Sequence, residues 1–265
     1  MHEHRSDTLI KVPLVTFGFW VIKILCTTLG ETGGDSISMS WLGETTTEAG
    51  RFPWNGYLIG TVLFAALLAV LTTAQIRVRR HYPWLYWSTI IASTTAGTTL
   101  ADFCTRSLGI GYAGGSVLLF TCVLLCLAVW WRRMGSIAVE TVREPQAERF
   151  YWLTITFSQT LGTALGDWAA DGALGYLGGT LVFASALLVL AGLYRWSHLS
   201  RSFLFWSAFI LTRPLGATVG DFFDKPPAQG GLGFSRPLAS LVLALLIVLF
   251  VALESRRQNR TMREH

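Results

Sequence analysis

FWVIKILCTTLGETGGD, residues 19–35, carries Glu31 and Asp35 at the end of an apolar run that begins near Val12. Two acids four residues apart are costly in hydrocarbon. The same stretch holds the spacing that organises the rest of the chain. Phe19-Trp20 is followed ten residues after the Trp by Gly30, and five residues later by Asp35. Tyr86-Trp87 leads in the same steps to Gly97 and Asp102, Tyr151-Trp152 to Gly162 and Asp167, and Phe205-Trp206 to Gly216 and Asp221. The pattern aromatic-W-x9-G-x4-D thus occurs four times without a gap. Self-similarity of this kind marks a repeat architecture.

A second signal follows each aspartate at a variable distance: Gly56-Tyr57, Gly111-Tyr112, Gly175-Tyr176 and Gly233-Phe234. The first three continue as YLIGT, YAGGS and YLGGT, and the fourth departs as FSRPL. Each unit therefore reads as a helical hairpin, with W…G…D on its first helix and the G-Y/F signal opening its second. Two spans per unit make all four units point the same way, as parallel repeats about an axis along the membrane normal.

Working outward, eight apolar runs appear: Leu14–Gly34, Gly56–Gln75, Trp84–Asp102, Tyr112–Trp131, Tyr151–Trp168, Leu174–Tyr194, Phe203–Gly220 and Leu238–Leu253. Their usual length of roughly 18 to 20 residues suits a hydrocarbon core of ~30 Å. Of the 265 residues, 52% are hydrophobic and 14% charged, with a mean hydropathy of +0.47. Soluble domains carry about 25% charged residues. The expectation is an all-α polytopic membrane protein of eight transmembrane helices, built as four parallel two-helix repeats with pseudo-symmetry about the membrane normal. One integral membrane domain covers 1–265, with repeats at about 12–75, 82–131, 149–194 and 203–253 and tails at 1–11 and 254–265. The polar N-terminus and the GETGGD that ends the first run do not resemble a cleaved signal peptide.

Fifteen basic residues fall on one side of this arrangement, in the tails and in the loops around Arg77, Arg132, Arg143 and Arg195. Four fall on the other: Arg51, Arg106, Lys225 and Arg236. Lys23 and Arg213 lie inside apolar runs. Positive residues favour the cytoplasmic side, so both termini are expected there. The net charge of +5 then reflects topology and anionic headgroups, with no nucleic-acid partner required. Cys26, Cys104, Cys122 and Cys126 show no ligand or disulfide spacing, and the five histidines fall in loops or tails. The chain lacks HExxH, a phosphate loop or a buried Ser-His or Cys-His pair. No enzyme and no cofactor are expected.

The stretches FWVIKILCTTLGETGGD and RPLGATVGDFFDKP followed by GGLGF, with the recurring W…G…D, resemble a family of bacterial inner-membrane proteins made of four tandem copies of a two-helix repeat of unknown function. The resemblance spans roughly Lys11 to Leu253. It implies an eight-span inner-membrane fold and carries no activity with it.

Function must then be read from the residues. Ten residues of helix place each glycine ~15 Å beyond its Trp, near the midplane, and fifteen place each aspartate ~22 Å beyond it. Ionisable groups at such depth face the bundle interior or a wet cavity. Asp35, Asp102, Asp167 and Asp221 therefore form a ring of equivalent acids, and Glu31 is the extra acid that no other unit carries. Along the helix, Asp102 meets Arg106, Asp167 meets Asp171 and Asp221 meets Lys225 at the i,i+4 spacing. Lys23 and Arg213 each lie eight residues before an acid and either neutralise it or snorkel toward the cytoplasm. Pro214 predicts a kinked or broken seventh helix. Thr28 and its neighbours offer hydroxyls along a polar path.

Hard cations favour carboxylate, carbonyl and hydroxyl oxygens. The expected function is proton-coupled secondary transport of a small cation, a divalent metal ion among the options, with Glu31 and Asp35 as the core of the site. Lipid, a cation or proton and a further copy of the chain are the expected partners. The alternative is a membrane scaffold or regulatory protein whose repeated aspartates cap the hairpins.

Overall fold

The computed structural model describes residues 11–44, 55–78, 80–172 and 174–264, with side chains up to Arg257. The tail 1–10, with His2 and His4, and Arg51 in the first hairpin loop lie outside the described residues. Eight helices account for almost all of the rest: α1 Phe17–Asp35, α2 Gly56–Arg77, α3 Pro83–Asp102, α4 Tyr112–Met134, α5 Pro145–Ala170, α6 Gly175–Trp196, α7 Arg201–Asp224 and α8 Arg236–Glu264. No strand occurs among the described residues.

Local chemistry sets the ends. Thr16 accepts the Phe19 amide and Asn55 that of Leu58, capping α1 and α2. Pro83 and Pro145 open α3 and α5, where the missing N–H costs nothing. The glycine of the second repeat signal turns the chain into the next helix: Gly111 and Gly175 have φ +76° and +64°, a region closed to most side chains. α1 and α3 continue beyond Asp35 and Asp102 as π-helical turns, Ser36–Trp41 and Phe103–Ser107.

The helices form two concentric layers. α1, α3, α5 and α7 pack in a closed ring, each against the next and α7 against α1. α2, α4, α6 and α8 lie outside it. Each outer helix packs on the first helix of the following repeat: α2 on α3, α4 on α5, α6 on α7 and α8 on α1. The hairpin expected within each unit is therefore not the packing unit. α1 and α2 scarcely touch, and the fourth repeat closes the ring by covering the first.

The aromatic signal explains why the ring closes. The aromatic residue before each Trp meets the Trp of the next repeat, with centroid separations of 5.4 Å for Phe19–Trp87, 5.6 Å for Tyr86–Trp152, 6.0 Å for Tyr151–Trp206 and 5.7 Å for Phe205–Trp20. Like positions meeting like positions means that the four inner helices run parallel. These Trp residues are buried or half-buried in a collar, not spread along an interface as interfacial anchoring would have it. Among the described residues, Trp41, Trp84, Trp131, Trp168 and Trp196 are the exposed ones. Offset and edge-on aromatic pairs add about 0.5–1.5 kcal/mol each beyond their buried area.

Glycine sets the next contact. The side chain three residues before each glycine lies against the glycine of the preceding repeat: Thr94 on Gly30, Gln159 on Gly97, Arg213 on Gly162 and Thr27 on Gly216. A Cβ at any of the four would meet its neighbour within 3.0 Å. Small residues let membrane helices approach this closely.

Five helices, α2, α4, α6, α7 and α8, are long and apolar enough to cross a membrane. The outer four carry rows of exposed Leu, Val and Phe, among them Val62, Leu118, Leu188 and Leu245. α1, α3 and α5 fall below that hydropathy because threonines, glycines and acids replace the apolar residues, and those helices face protein on nearly every side. The outer layer supplies the apolar surface for the whole. Such a chain is an integral membrane protein.

Candidate functional site

Because the inner helices are parallel and in register, each repeat position forms a layer of four side chains around the ring axis. The layer one residue after the glycines contains Glu31, Thr98, Thr163 and Ala217, all buried. Arg213 of α7 reaches into it with no exposure at all. Its Nη2 lies 2.9 Å from Glu31 Oε2 and within hydrogen-bonding distance of the Thr98 and Thr163 hydroxyls, and its Nη1 donates to the Thr27 carbonyl at 3.4 Å. One guanidinium thus joins all four inner helices at the axis. A planar fork suits this role.

The four motif aspartates form the next acidic layer, and it follows a two-fold pattern within the four-fold fold. Arg106 lies 3.2 Å from its own Asp102 and 3.2 Å from Asp167 of the next repeat. Lys225, at the same repeat position, lies 2.9 Å from its own Asp221 and also pairs with Asp35 of the first repeat. The equivalent residues of repeats one and three are Met39 and Asp171. Two cations therefore clamp α3 to α5 and α7 to α1, and among the described residues no such aspartate clamp joins α1 to α3 or α5 to α7. The Tyr57 hydroxyl from α2 joins this network by accepting from Arg106 Nη1 at 3.2 Å.

Asp224, three residues beyond Asp221, joins Lys225 at 3.8 Å and Arg236 at 3.1 Å. Six carboxylates, Glu31, Asp35, Asp102, Asp167, Asp221 and Asp224, then stand against four cations, Arg106, Arg213, Lys225 and Arg236. The excess is two acids. Carboxylate oxygens from Glu31, Asp167 and Asp221 lie within 4.8 Å of one another, as do those of Asp35, Asp221 and Asp224. Oδ1 of Asp35 has no hydrogen-bond donor, and Oδ1 of Asp221 and of Asp224 face only the Lys225 ammonium, at 2.9 and 3.8 Å.

Several expectations change. Glu31 and Asp35 do not share one cluster; they belong to adjacent clusters that meet at Asp221, because the bundle brings Asp167 and Asp221 beside Glu31. The aspartates do not cap the hairpins: Asp35 and Asp102 precede further helical turns with no side-chain cap, and Asp167 and Asp221 lie within α5 and α7. α7 runs unbroken through Pro214, whose ring packs at Gly162, while Thr218 Oγ1 donates to the Pro214 carbonyl at 3.1 Å. Arg213 pairs with Glu31 and not with Asp221 on its own helix. Lys23 neither pairs with Glu31 nor snorkels. Its ammonium is fully buried, 4.2 Å over the Phe209 ring, with no hydrogen-bond acceptor. Thr28 turns its hydroxyl to the Ile24 carbonyl of its own helix, at 3.0 Å. Asp171 leaves Asp167 and accepts from Tyr112 at 2.6 Å. The i,i+4 pairs Asp102–Arg106 and Asp221–Lys225 form as the spacing predicts.

Sequence reasoning passed over Asp224, Gln159, Tyr57 and Arg236. Asp224 was readable as a second acid one helical turn after Asp221 in GDFFDK. Gln159 was readable as the polar residue aligned with Arg213.

Comparison with known proteins agrees with this organisation. A Repeat of Unknown Function (DUF347) matches the chain four times, over residues 18–81, 85–136, 150–200 and 204–260. No curated protein and no solved structure matches it.

Proposed function

The chain belongs to the DUF347 repeat family, and on that premise we propose that it is an eight-span protein of the bacterial inner membrane that exchanges a small cation for protons along the axis of its inner ring. α1, α3 and α5 complete the eight spans. At 1.5 Å per residue even α1, with 19 residues, is about 28 Å long, close to the hydrocarbon thickness. Both termini then lie in the cytoplasm. The basic ends of α2, α4, α6 and α8 gather on that side, and Arg106, Lys225 and Arg236 of the opposite end are already committed to carboxylates.

The observation that carries the reading is the convergence of Glu31, Asp167 and Asp221, from three repeats, within 4.8 Å. Like charges this close do not all ionise without a positive partner. Arg213 and Lys225 supply part of that charge, and a bound cation or protons supply the rest. The same oxygens hold either one, so cation and proton compete for one site. That competition is the basis of exchange. Carboxylate and threonine oxygens favour a hard ion, a divalent metal ion included.

The aspartate pairs also support a second reading. Each motif aspartate already holds an ion pair, as it would in a scaffold that uses Arg106 and Lys225 only to lock its helices. Melting the detergent-purified protein with a panel of monovalent and divalent cations from pH 5 to 9 separates the two. Exchange predicts one or a few cations that stabilise, more strongly at high pH, and loss of that effect in Glu31→Gln and Asp167→Asn. Equal melting in all cations at every pH favours the scaffold.

A further inference from the structure

We infer that the opposite half of the axis, on the collar side of the Arg213–Glu31 pair, binds a small inorganic anion held by Lys23, Gln159 and Arg213. The inference shares only Arg213 with the cation clusters, through a different nitrogen, and does not depend on transport.

The repeat layers locate the site. Seven residues before the glycines stand Lys23, Ile90, Ile155 and Phe209, so the lysine is the one polar member of an apolar layer. One turn further along come Ser93, Ser158 and Thr212, and beside them Gln159 and Arg213. All of these are buried, with Lys23, Gln159 and Arg213 fully so. The three serine and threonine hydroxyls donate to carbonyls one turn back.

Lys23 Nζ, Gln159 Nε2, Gln159 Oε1 and Arg213 Nε have no hydrogen-bond partner. A buried ammonium without an acceptor is among the most costly arrangements in a protein interior. Among the described residues no carboxylate pairs with it. Glu31 is engaged by Arg213 Nη2, and the remaining acids lie in the layers beyond. The unpaired groups are mostly N–H donors, and two of them belong to cations. Such a set suits an acceptor-only ligand of single negative charge and small radius, a halide or nitrate, better than a metal ion. Water would satisfy the amide of Gln159 but leave the charge of Lys23 with only the face of the Phe209 ring against it.

The test uses purified full-length protein in detergent at fixed ionic strength. Sodium gluconate is exchanged stepwise for chloride, bromide or nitrate while thermal unfolding is followed. A ligand that binds only the folded state raises the melting temperature with its concentration. The expected result is a saturable rise of several degrees for at least one of the three anions. Lys23→Met should abolish it, and Gln159→Leu should weaken the apparent affinity roughly tenfold, as the loss of one charge-assisted hydrogen bond does. Chloride-35 line broadening in wild-type protein, reversed by bromide, reads the same site without a variant. Equal melting in gluconate and all three anions together with no broadening would overturn the inference. So would increments that are the same in wild type, Lys23→Met and Gln159→Leu, which would report ionic strength alone.

Discussion

Arg213 Nη2 lies 2.9 Å from Glu31 Oε2 across the α7–α1 seam, with both side chains sealed from solvent. Neither residue has a counterpart of its type in the other repeats, where Thr27, Thr94 and Gln159 align with Arg213 and Thr98, Thr163 and Ala217 align with Glu31. Two separate departures from the repeat meet at one point. The pair is thus the asymmetric element in an otherwise cyclic ring.

Breaking that pair from one side should be costly. Glu31→Gln strands a buried guanidinium and Arg213→Gln a buried carboxylate, and losing one partner of a buried pair costs about 3–5 kcal/mol. The double variant Glu31→Gln/Arg213→Gln should cost clearly less than the two singles combined. Chemical unfolding of all four proteins in detergent gives the coupling, and simple additivity would show that the contact contributes nothing.

The clamps should be unequal. Arg106→Met releases two carboxylates, whereas Lys225→Met releases Asp35 and Asp221 and leaves Asp224 to Arg236 alone. Each should lose a few kcal/mol, on the order of the 3–5 expected for a broken buried pair, and Lys225→Met should lose more. Adding Asp35→Asn to Lys225→Met should recover part of the loss. Equal melting of wild type and Lys225→Met would show that the acids are satisfied without the ammonium.

The motif glycines and their neighbours should separate by contact. A Cβ on Gly97 meets the backbone of Gln159 and Thr160 at 3.0 Å, and backbone does not give way. Gly97→Ala should therefore cost about 1–3 kcal/mol through overpacking. A Cβ on Gly33 meets nothing within 4 Å on the same kind of helix. Gly33→Ala should be neutral or gain up to about 1 kcal/mol from helix propensity. Paired unfolding curves check the difference, and a loss in Gly33→Ala equal to that in Gly97→Ala would count against the close-approach account.

His81, in the loop before α3, adds a pH dependence away from the membrane core. Burial lowers its pKa, against an opposing contribution from the hydrogen bond of Nδ1 to the Lys11 carbonyl at 2.9 Å. The folded state then binds fewer protons than the unfolded chain below about pH 6.5, the ordinary histidine value. Stability from this group should be intact above that pH and fall as pH drops through it toward the lowered value. His81→Gln should flatten that part of the stability profile between pH 5 and 7. An unchanged profile would assign the slope elsewhere.

The repeat spacing made the layer structure legible before any coordinates, since W-x9-G-x4-D already specifies parallel helices in register. It could not show which helices touch. Hairpin neighbours in sequence suggest packing within a repeat, but Thr27 against Gly216 and Phe205 against Trp20 show that packing runs between repeats and around the ring. Asp102–Arg106 and Asp221–Lys225 were readable because both members share a helix. Asp167–Arg106, Asp35–Lys225 and Glu31–Arg213 were not, because each joins different repeats and depends on how the ring closes. Lys23 misled for a related reason. Three residues past Trp20 it looked able to reach the interface, but the Trp layer itself is buried in the collar, so the lysine has no water to reach.

The most direct test of the central claim is flux in proteoliposomes. Purified protein is reconstituted with a pH-sensitive dye inside, and gradients of monovalent and divalent cations are imposed one at a time. The account predicts that at least one cation gradient drives an opposite proton movement in wild type, and that folded Glu31→Gln is silent. No proton movement above protein-free liposomes for any cation, or equal movement in wild type and Glu31→Gln, would contradict it.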